Sequence, residues 1–325
     1  MKAIRFSSAT LLFLLAFSSL QATIAADKDK KSVTQNKAER AKKRLTAEKY
    51  DLKYRFRKGE QVRYNVVHLV TMETRIKGIT KIAKSRSVST KLWRISDIDP
   101  KGNITFVYFV ERANMWQSLT GQKEVRYNSE TDKTAPPRYQ SVASSIGVPI
   151  SRVTINNRGK IVKRSNLKQV YQTSIGGLTI PLPPKAVKVG ATWFEPKSVT
   201  VQIPKRGNRK VKTREFYKLE KVENGVATIS LKTQILTPIN NPQIKSQLIQ
   251  MIKQGTIKFD IAEGRVRSIQ MDFDDMVLAF AGAESLMKYL ARFTERLDVP
   301  KAGTRTATKI RAKAERSDKP KLRRD

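Results

Sequence analysis

The sequence predicts a β-dominated α+β protein: a curved, mainly antiparallel sheet of hairpins packed by two or three helices. Three observations support this prediction. Apolar and polar residues alternate with period two along many short segments, as in strands with one buried face. Gly- and Asn-containing turns separate these segments, as between antiparallel neighbours. Three other segments carry apolar residues at helical spacing. The 325 residues suffice for one or two domains with a sizeable core.

The first 26 residues are predicted to be a signal peptide. Lys2 and Arg5 form a basic start, an apolar run follows from Ala9 to Leu20, and small residues end it at Ala25 and Ala26. The apolar run holds about a dozen residues, whereas a membrane span needs roughly twenty. We therefore favour cleavage over the alternative of an uncleaved anchor, with export to the periplasm or the extracellular space. No later stretch approaches spanning length.

Charge is distributed through the whole chain. The net charge is +37, from 65 Lys and Arg against 28 Asp and Glu. Residues 27–49 carry +5 and residues 301–325 carry +7. Each of these segments has only two large apolar residues, too few to offset chain entropy. We predict a disordered basic linker and a disordered basic tail. With the two cations of the signal also removed, +23 remains on the folded region 50–300.

The folded region is predicted to begin with a strand over 50–57, where Tyr50, Leu52, Tyr54 and Phe56 alternate with charged residues. Turn signals such as Asn224-Gly225 divide the rest of the region into shorter segments. The further predicted strands are 62–76, 86–97, 103–117, 122–128, 151–155, 160–163, 198–204, 210–221, 226–236, 256–261 and 265–273.

Helices are predicted over 166–175, 242–254 and 282–297. The second begins with Asn241 as cap and Pro242 at the first position, and Gly255 is the predicted stop. The third has an apolar stripe formed by Leu286, Leu290, Phe293 and Leu297. Such stripes usually pack in a core, so we favour packing on the sheet over a membrane-surface role.

A proline-rich segment over 178–196 divides the folded region. Pro181, Pro183 and Pro184 favour an extended path that does not pair well in a sheet. We interpret the segment as a connector across the sheet, and as the place where the region would divide if it held two sub-domains. Recognition of the prolines by a partner is the less favoured alternative.

Three motifs carry a resemblance to an uncharacterised family of bacterial secreted β-rich proteins, and together they would cover residues 50–275. They are the opening Y-x-L-x-Y-x-F-x-x-G of Tyr50 to Gly59, the central Leu182-Pro183-Pro184 to Trp193, and the late hairpin of Gly255 to Ser268. The resemblance implies export and a β-rich fold. That family has no established activity, so no catalytic residue carries over. The overall pattern also resembles, at the fold level, envelope lipoprotein carriers of the LolA/LppX type.

Catalytic chemistry finds little support in the sequence. With no Cys, disulfides, thiolate ligands and Cys nucleophiles are excluded. The single His, His68, shares its strand face with apolar residues, and no G-x-S-x-G motif occurs. Asp272 and Asp274 would share one strand face, with Asp275 on the other. They could bind a cation, but we favour ion pairs with the abundant Lys and Arg. We therefore predict no enzyme, no metal and no cofactor.

Two basic clusters are the candidate anion-binding residues. One surrounds a predicted turn and comprises Lys205, Arg206, Arg209, Lys210, Lys212 and Arg214. The other comprises Lys81, Lys84 and Arg86, in the basic stretch 81–94 that also carries Lys91 and Arg94 along a predicted strand pair. Nucleic acid is not expected as the partner. Alternation assigns the aromatic residues to the buried face, where they cannot stack on bases, and an exported protein meets little nucleic acid. A solvated surface without any specific partner is the open alternative.

The sequence thus predicts an exported, non-enzymatic protein whose basic surface associates with an anionic envelope polymer or lipid. The alternative is a carrier that holds an apolar or lipid ligand between the curved sheet and the helices at 242–254 and 282–297. A carrier requires a cavity of a few hundred Å³. The oligomeric state stays open.

Overall fold

The computed structural model describes residues 48–168, 177–203 and 207–299, and twelve antiparallel strands in them form one open, curved sheet. The spatial order is β6-β5-β3-β2-β1-β12-β11-β10-β9-β8-β7, and β4 pairs with β3. The strands are β1 Gln61–Ile76, β2 Ile79–Ile98, β3 Ile104–Leu119, β4 Val125–Asn128, β5 Ser151–Ile155, β6 Ile161–Asn166, β7 Thr192–Ile203, β8 Gly207–Glu223, β9 Val226–Ile235, β10 Gln254–Asp260, β11 Arg265–Leu278 and β12 Leu286–Leu297. The prediction of a β-dominated antiparallel sheet is confirmed.

The first and last strands meet in the middle of the sheet. β1 pairs with β2 on one side and with β12 on the other, so the first and last strands of the sheet are direct neighbours. The middle of the chain supplies the edges, β6 and β7. Because these two strands lie at opposite edges, the proline-rich connector between them has to cross the sheet. Its Ile180 and Leu182 are buried in the core.

Alternation gives the sheet an inner and an outer face. Val62 and Tyr64 of β1 point to the inner face, and the residues directly opposite them on neighbouring strands share that face. Val153 of β5 and Tyr217 of β8 belong to the same buried cluster although they come from near the two edges. The sheet therefore curves around its inner face, and the core lies within the curve.

The opening segment 50–57 is extended but is not a strand of the sheet. Leu52, Tyr54 and Phe56 are buried, as the alternation predicts. Tyr50 makes an isolated bridge to Val187, and the Tyr54 amide donates to the carbonyl of Asn157. The prediction of a paired strand here is wrong, because these backbone groups bond to loops instead of a continuous neighbouring strand.

The helix predicted over 282–297 is wrong, since β12 occupies this segment. Tyr289, Ala291, Phe293 and Glu295 are buried at every second position, which is the period of a strand. Leu290 lies on the outer face. The apolar residues at helical spacing are therefore divided between two faces, and pairing with β1 and β11 decides the conformation.

Two short helices occur in the described part of the chain: α1, Gln140–Ala143, and α2, Pro242–Leu248. A 3₁₀ turn, Pro137–Tyr139, directly precedes α1. The sequence pattern predicts neither α1 nor this turn. No helix among these residues is long and apolar enough to span a bilayer.

Helix α2 begins as predicted but ends early. The Asn241 side chain accepts a hydrogen bond from the amide of Gln243, and Pro242 follows the cap. Leu248 of the helix is buried in a small cluster with strands β7 and β8. Gly255 does not stop the helix, because it belongs to β10. A Cβ there would lie 2.1 Å from the carbonyl oxygen of Gln270, so only glycine fits.

Several predictions fall outside the described residues. They are the signal peptide, almost all of the linker 27–49, most of the helix 166–175, and the tail 301–325. Residue 166, the first of that helix, ends β6.

Candidate functional site

A cavity of about 570 Å³ lies on the inner face of the sheet. Strands β1, β2, β3 and β12 form its floor. Residues 139–145 and the start of the connector at Gly177 and Leu178 also line it. Neither helix that the sequence assigned to such a cavity covers it: the segment 286–297 is strand β12 and belongs to the floor, and helix α2 packs against β7 and β11. Its volume is in the range of small-molecule sites.

A bulge in β3 shapes one wall of the cavity. The register between β2 and β3 shifts at this point, so Lys91 faces Val110 while Ser89 faces Ala113. The extra residue, Glu111, accepts two hydrogen bonds from Arg63 at 2.8 and 2.9 Å. Because of the bulge, Val110 and Ala113 both line the cavity.

A polar stripe runs along the inner side of β2. Ser85, Ser87, Ser89 and Lys91 alternate along the strand, and all four line the cavity. Apolar side chains flank the stripe, with Phe293 of β12 among them. The cavity floor therefore offers hydroxyl groups between apolar walls.

A buried ion pair lies at the Lys91 end of this stripe. The Nζ of Lys91 lies 2.6 Å from Oε1 of Glu295, and the two side chains are only 7% and 5% exposed. The ammonium also lies 4.9 Å from the ring centroid of Tyr64 and 5.1 Å from that of Trp93. Two opposite charges with aromatic contacts are thereby held at the cavity wall.

His68 lies beside Ser87, its partner on β2, and its ring is 6.3 Å from that of Phe293. Its Nε2 is buried and has no hydrogen-bond partner. Burial lowers the pKa of the imidazole from its ordinary value of 6.5, so the ring is neutral at pH 7. The predicted position on an apolar strand face is confirmed by the partial burial of Val66 and Val70 on the same face.

The segment that covers the cavity is held by aromatic stacking. The ring of Tyr139 stacks on that of Tyr127 of β4, with centroids 6.1 Å apart. Gly147, just beyond α1, donates its amide to the carbonyl of Val110. Below this cover, burial raises the pKa of Tyr108 to about 12, so its hydroxyl stays protonated.

A second cavity, of about 390 Å³, lies on the other side of the connector. Gly177 and Leu178 line both cavities, so the connector lies between them. Here Lys253 pairs with Glu215 at 2.6 Å. Burial alone would raise the pKa of the Glu215 carboxyl, but Lys253 and the hydroxyl of Tyr217 keep it below its usual value.

The predicted basic clusters lie apart on the sheet. In the β8 cluster, Lys210, Lys212 and Arg214 belong to the outer face, whereas Arg209 faces Val201 on the inner side. Lys205 and Arg206 lie outside the described residues.

In the β2 cluster, Lys84 and Arg86 belong to the outer face and Lys81 to the inner face. Five strands separate β2 from β8, which is roughly 29 Å at 4.8 Å per step. The outer-face members of the two clusters therefore lie too far apart to form one site.

One of the three carboxylates of β11, Asp272, forms an ion pair. The Nε of Arg292 lies 2.5 Å from Oδ1 of Asp272, and Asp272 and Asp274 share the outer face as predicted. Burial raises the pKa of Asp272, but the bonds from Arg292 and Gln270 outweigh it and keep that pKa below its usual value. Among the described residues, no three His, Asp or Glu side chains are placed to hold a metal ion.

Sequence reasoning missed the ion pair at the cavity wall. Lys91 follows Ser85, Ser87 and Ser89 at strand spacing, which is a readable signal of an inner-face polar stripe. Glu295 gives no such signal, because the apolar spacing around it predicts a helix.

Comparison with known proteins finds a family model that matches the central part of the chain. Residues 168–266 match the model of DUF6263, a family of unknown function. This confirms the resemblance to an uncharacterised family over the central motif and most of the late hairpin, and the opening motif lies outside the match. The matched residues run from the connector to the start of β11, so most of the first cavity lies outside them.

No curated protein matches the chain. Among solved structures, one titled "Lipid-protein interactions in lipovitellin" aligns with a TM-score of 0.45 and 12% sequence identity. The alignment covers 75% of this chain and 26% of that one, so this chain spans about a quarter of the other's length.

Proposed function

We propose that this protein is a non-enzymatic carrier that holds a small amphipathic ligand in the inner-face cavity. The observation that supports this is the cavity itself: about 570 Å³, with a polar stripe on β2 between apolar walls. Such a lining suits a molecule with both an apolar body and hydrogen-bonding groups. A protein packed only for stability fills its interior, because unfilled volume forfeits contacts.

Identification of co-purified ligand tests the proposal. The full chain is purified under non-denaturing conditions, extracted with organic solvent, and the extract is analysed by lipid mass spectrometry. Saturable binding of the neutral fluorescent probe N-phenyl-1-naphthylamine is measured on the extracted protein. We expect a bound amphiphile in stoichiometric amount and competition between it and the probe. A clean extract together with no saturable probe binding overturns the proposal.

A cavity-filling substitution localises the site. Ser87→Trp places an indole inside the cavity, and Ser198→Trp places the same group on the exposed outer side of β7. We expect Ser87→Trp to abolish probe binding and Ser198→Trp to retain it, with both variants folded by circular dichroism. Retained binding in a folded Ser87→Trp variant would locate the ligand elsewhere.

The outer face supports a second candidate function, association with anionic envelope polymer or lipid after export. The observation in its favour is that cations recur across this face, on β2, β12, β9 and β8, at Arg86, Arg296, Lys232 and Lys212. Retention on vesicles of anionic lipid should be strong at low salt and lost near ~0.5 M salt, where screening lengths shrink to a few Å. Salt-independent retention would show that charge is not the cause.

A further inference from the structure

We infer that the cavity selects ligands whose buried polar group is uncharged, such as the glycerol or sugar hydroxyls of a neutral lipid. This inference rests on the proposed carrier function and names the class of ligand. It is drawn from the charge balance of the cavity wall, where the buried ammonium of Lys91 and the buried carboxylate of Glu295 pair with each other.

The first step concerns Lys91 and Glu295. Their side chains are almost fully buried and lie 2.6 Å apart, so the ammonium and the carboxylate neutralise each other. A charged ligand would lose its hydration at this wall without gaining a counter-charge, which is unfavourable. An uncharged ligand avoids that cost.

The second step concerns the remaining polar groups on the floor. Ser85, Ser87 and Ser89 carry hydroxyls that can each donate or accept a hydrogen bond. The neutral imidazole of His68 has an unpartnered buried Nε2 beside Ser87. Hydroxyl or ester groups of a ligand can satisfy these atoms without bringing in a charge.

The third step concerns the two arginines at the cavity. Arg86 is exposed and, by its register opposite Leu69, belongs to the outer face. Arg164, on the edge strand β6, is exposed as well. Charges at these positions are screened by solvent, and an anionic head group drawn to them would stay at the rim. At Tyr108, which lines the cavity, burial and Glu295 raise the pKa more than Arg164 lowers it, so the surroundings of that hydroxyl disfavour a negative charge.

Two lipids that differ by one phosphate test the inference on the unmodified chain. The probes are 1-lauroylglycerol and 1-lauroylglycerol 3-phosphate, each competing with N-phenyl-1-naphthylamine at one fixed, moderate ionic strength. We expect the neutral lipid to displace the probe at a concentration at least about tenfold lower, given the cost of burying a charge. Equal or tighter binding of the phosphate lipid overturns the inference while the carrier function stands. Failure of probe and both lipids to bind overturns the carrier function itself.

Removing the carboxylate of the buried pair should increase the affinity for the phosphate lipid. Glu295→Gln keeps the size of the side chain and leaves the Lys91 ammonium without its counter-charge, so the preference should shift at least about tenfold toward the phosphate lipid. The matched control is Glu215→Gln, which breaks the Lys253 pair in the second cavity and should leave the preference unchanged. An unshifted preference in folded Glu295→Gln contradicts the inference. The comparison on the unmodified chain decides the matter if this variant does not fold.

Discussion

Lys91 and Glu295 form their ion pair across a strand that separates them. Lys91 belongs to β2 and Glu295 to β12, and β1 lies between these two strands. On β1, Tyr64 is the direct partner of Lys91 and Val66 is the direct partner of Glu295. The long Lys91 side chain therefore reaches over the Tyr64 ring to the carboxylate. The pair links strands from the two ends of the chain.

Breaking this pair should destabilise the protein strongly. Lys91→Met or Glu295→Gln leaves the other charge buried and uncompensated, which typically lowers the free energy of unfolding by about 3–5 kcal/mol. Replacing both residues by apolar ones of similar size should recover most of that loss. Urea unfolding of the two single variants and of Lys91→Met/Glu295→Leu gives the comparison. A double variant no more stable than the single ones would show that the charges themselves contribute the stability.

The pH dependence of stability should contain a component from His68. Because burial lowers its folded-state pKa below 6.5, the unfolded chain binds a proton first as the pH falls. Stability is unaffected well above pH 6.5 and decreases below it, by at most about 1.4 kcal/mol per pH unit, until the folded-state pKa is reached.

His68→Gln should remove this component, so the difference in unfolding free energy between the two proteins should change with pH below 6.5. Since the chain has a single His, its imidazole NMR signals are unambiguous and should titrate below 6.5. A midpoint above 6.5 would contradict the burial argument.

Gly255 should be intolerant of any side chain. A Cβ at this position would lie 2.1 Å from the carbonyl oxygen of Gln270 and 2.9 Å from the Cα of Met271, both of them backbone atoms. We expect Gly255→Ala to lower the free energy of unfolding by about 1–3 kcal/mol. The control is Gly102→Ala, at a left-handed turn position with open space, where only backbone strain of about 1 kcal/mol applies. Equal losses would mean that β10 moves to accommodate the methyl group.

Charge reversal on the outer face should weaken attachment to anionic vesicles in proportion to the charge removed. Lys84→Glu/Arg86→Glu and Lys212→Glu/Arg214→Glu change the same number of charges on strands far apart. Each pair should reduce retention at low salt to a similar extent, since each cation near an anionic surface contributes about 1 kcal/mol. Vesicles of neutral lipid serve as the control. Complete loss from one pair and none from the other would indicate a localised site.

Local pattern predicted most of the sheet because strand alternation and turn residues act over a few residues. In β1 the inner positions follow from Val62 to Met72 by parity alone. The cap of α2 was equally predictable, because Asn241 and Pro242 determine it through their own side chains. The same reasoning failed at β12, where spacing of four and spacing of two both fit the apolar residues.

Sequence alone was enough to predict the alternating faces, the hairpin turns, the antiparallel pairing and the excess of positive charge, because each depends on neighbouring residues or on composition. Long-range contacts made 286–297 a central strand, since one of its two neighbouring strands, β1, lies more than two hundred residues away in sequence. The curvature of the sheet, the cavity, and the meeting of Lys91 with Glu295 depend on the same long-range pairing. No local pattern encodes which distant strand will supply the partner of a buried charge.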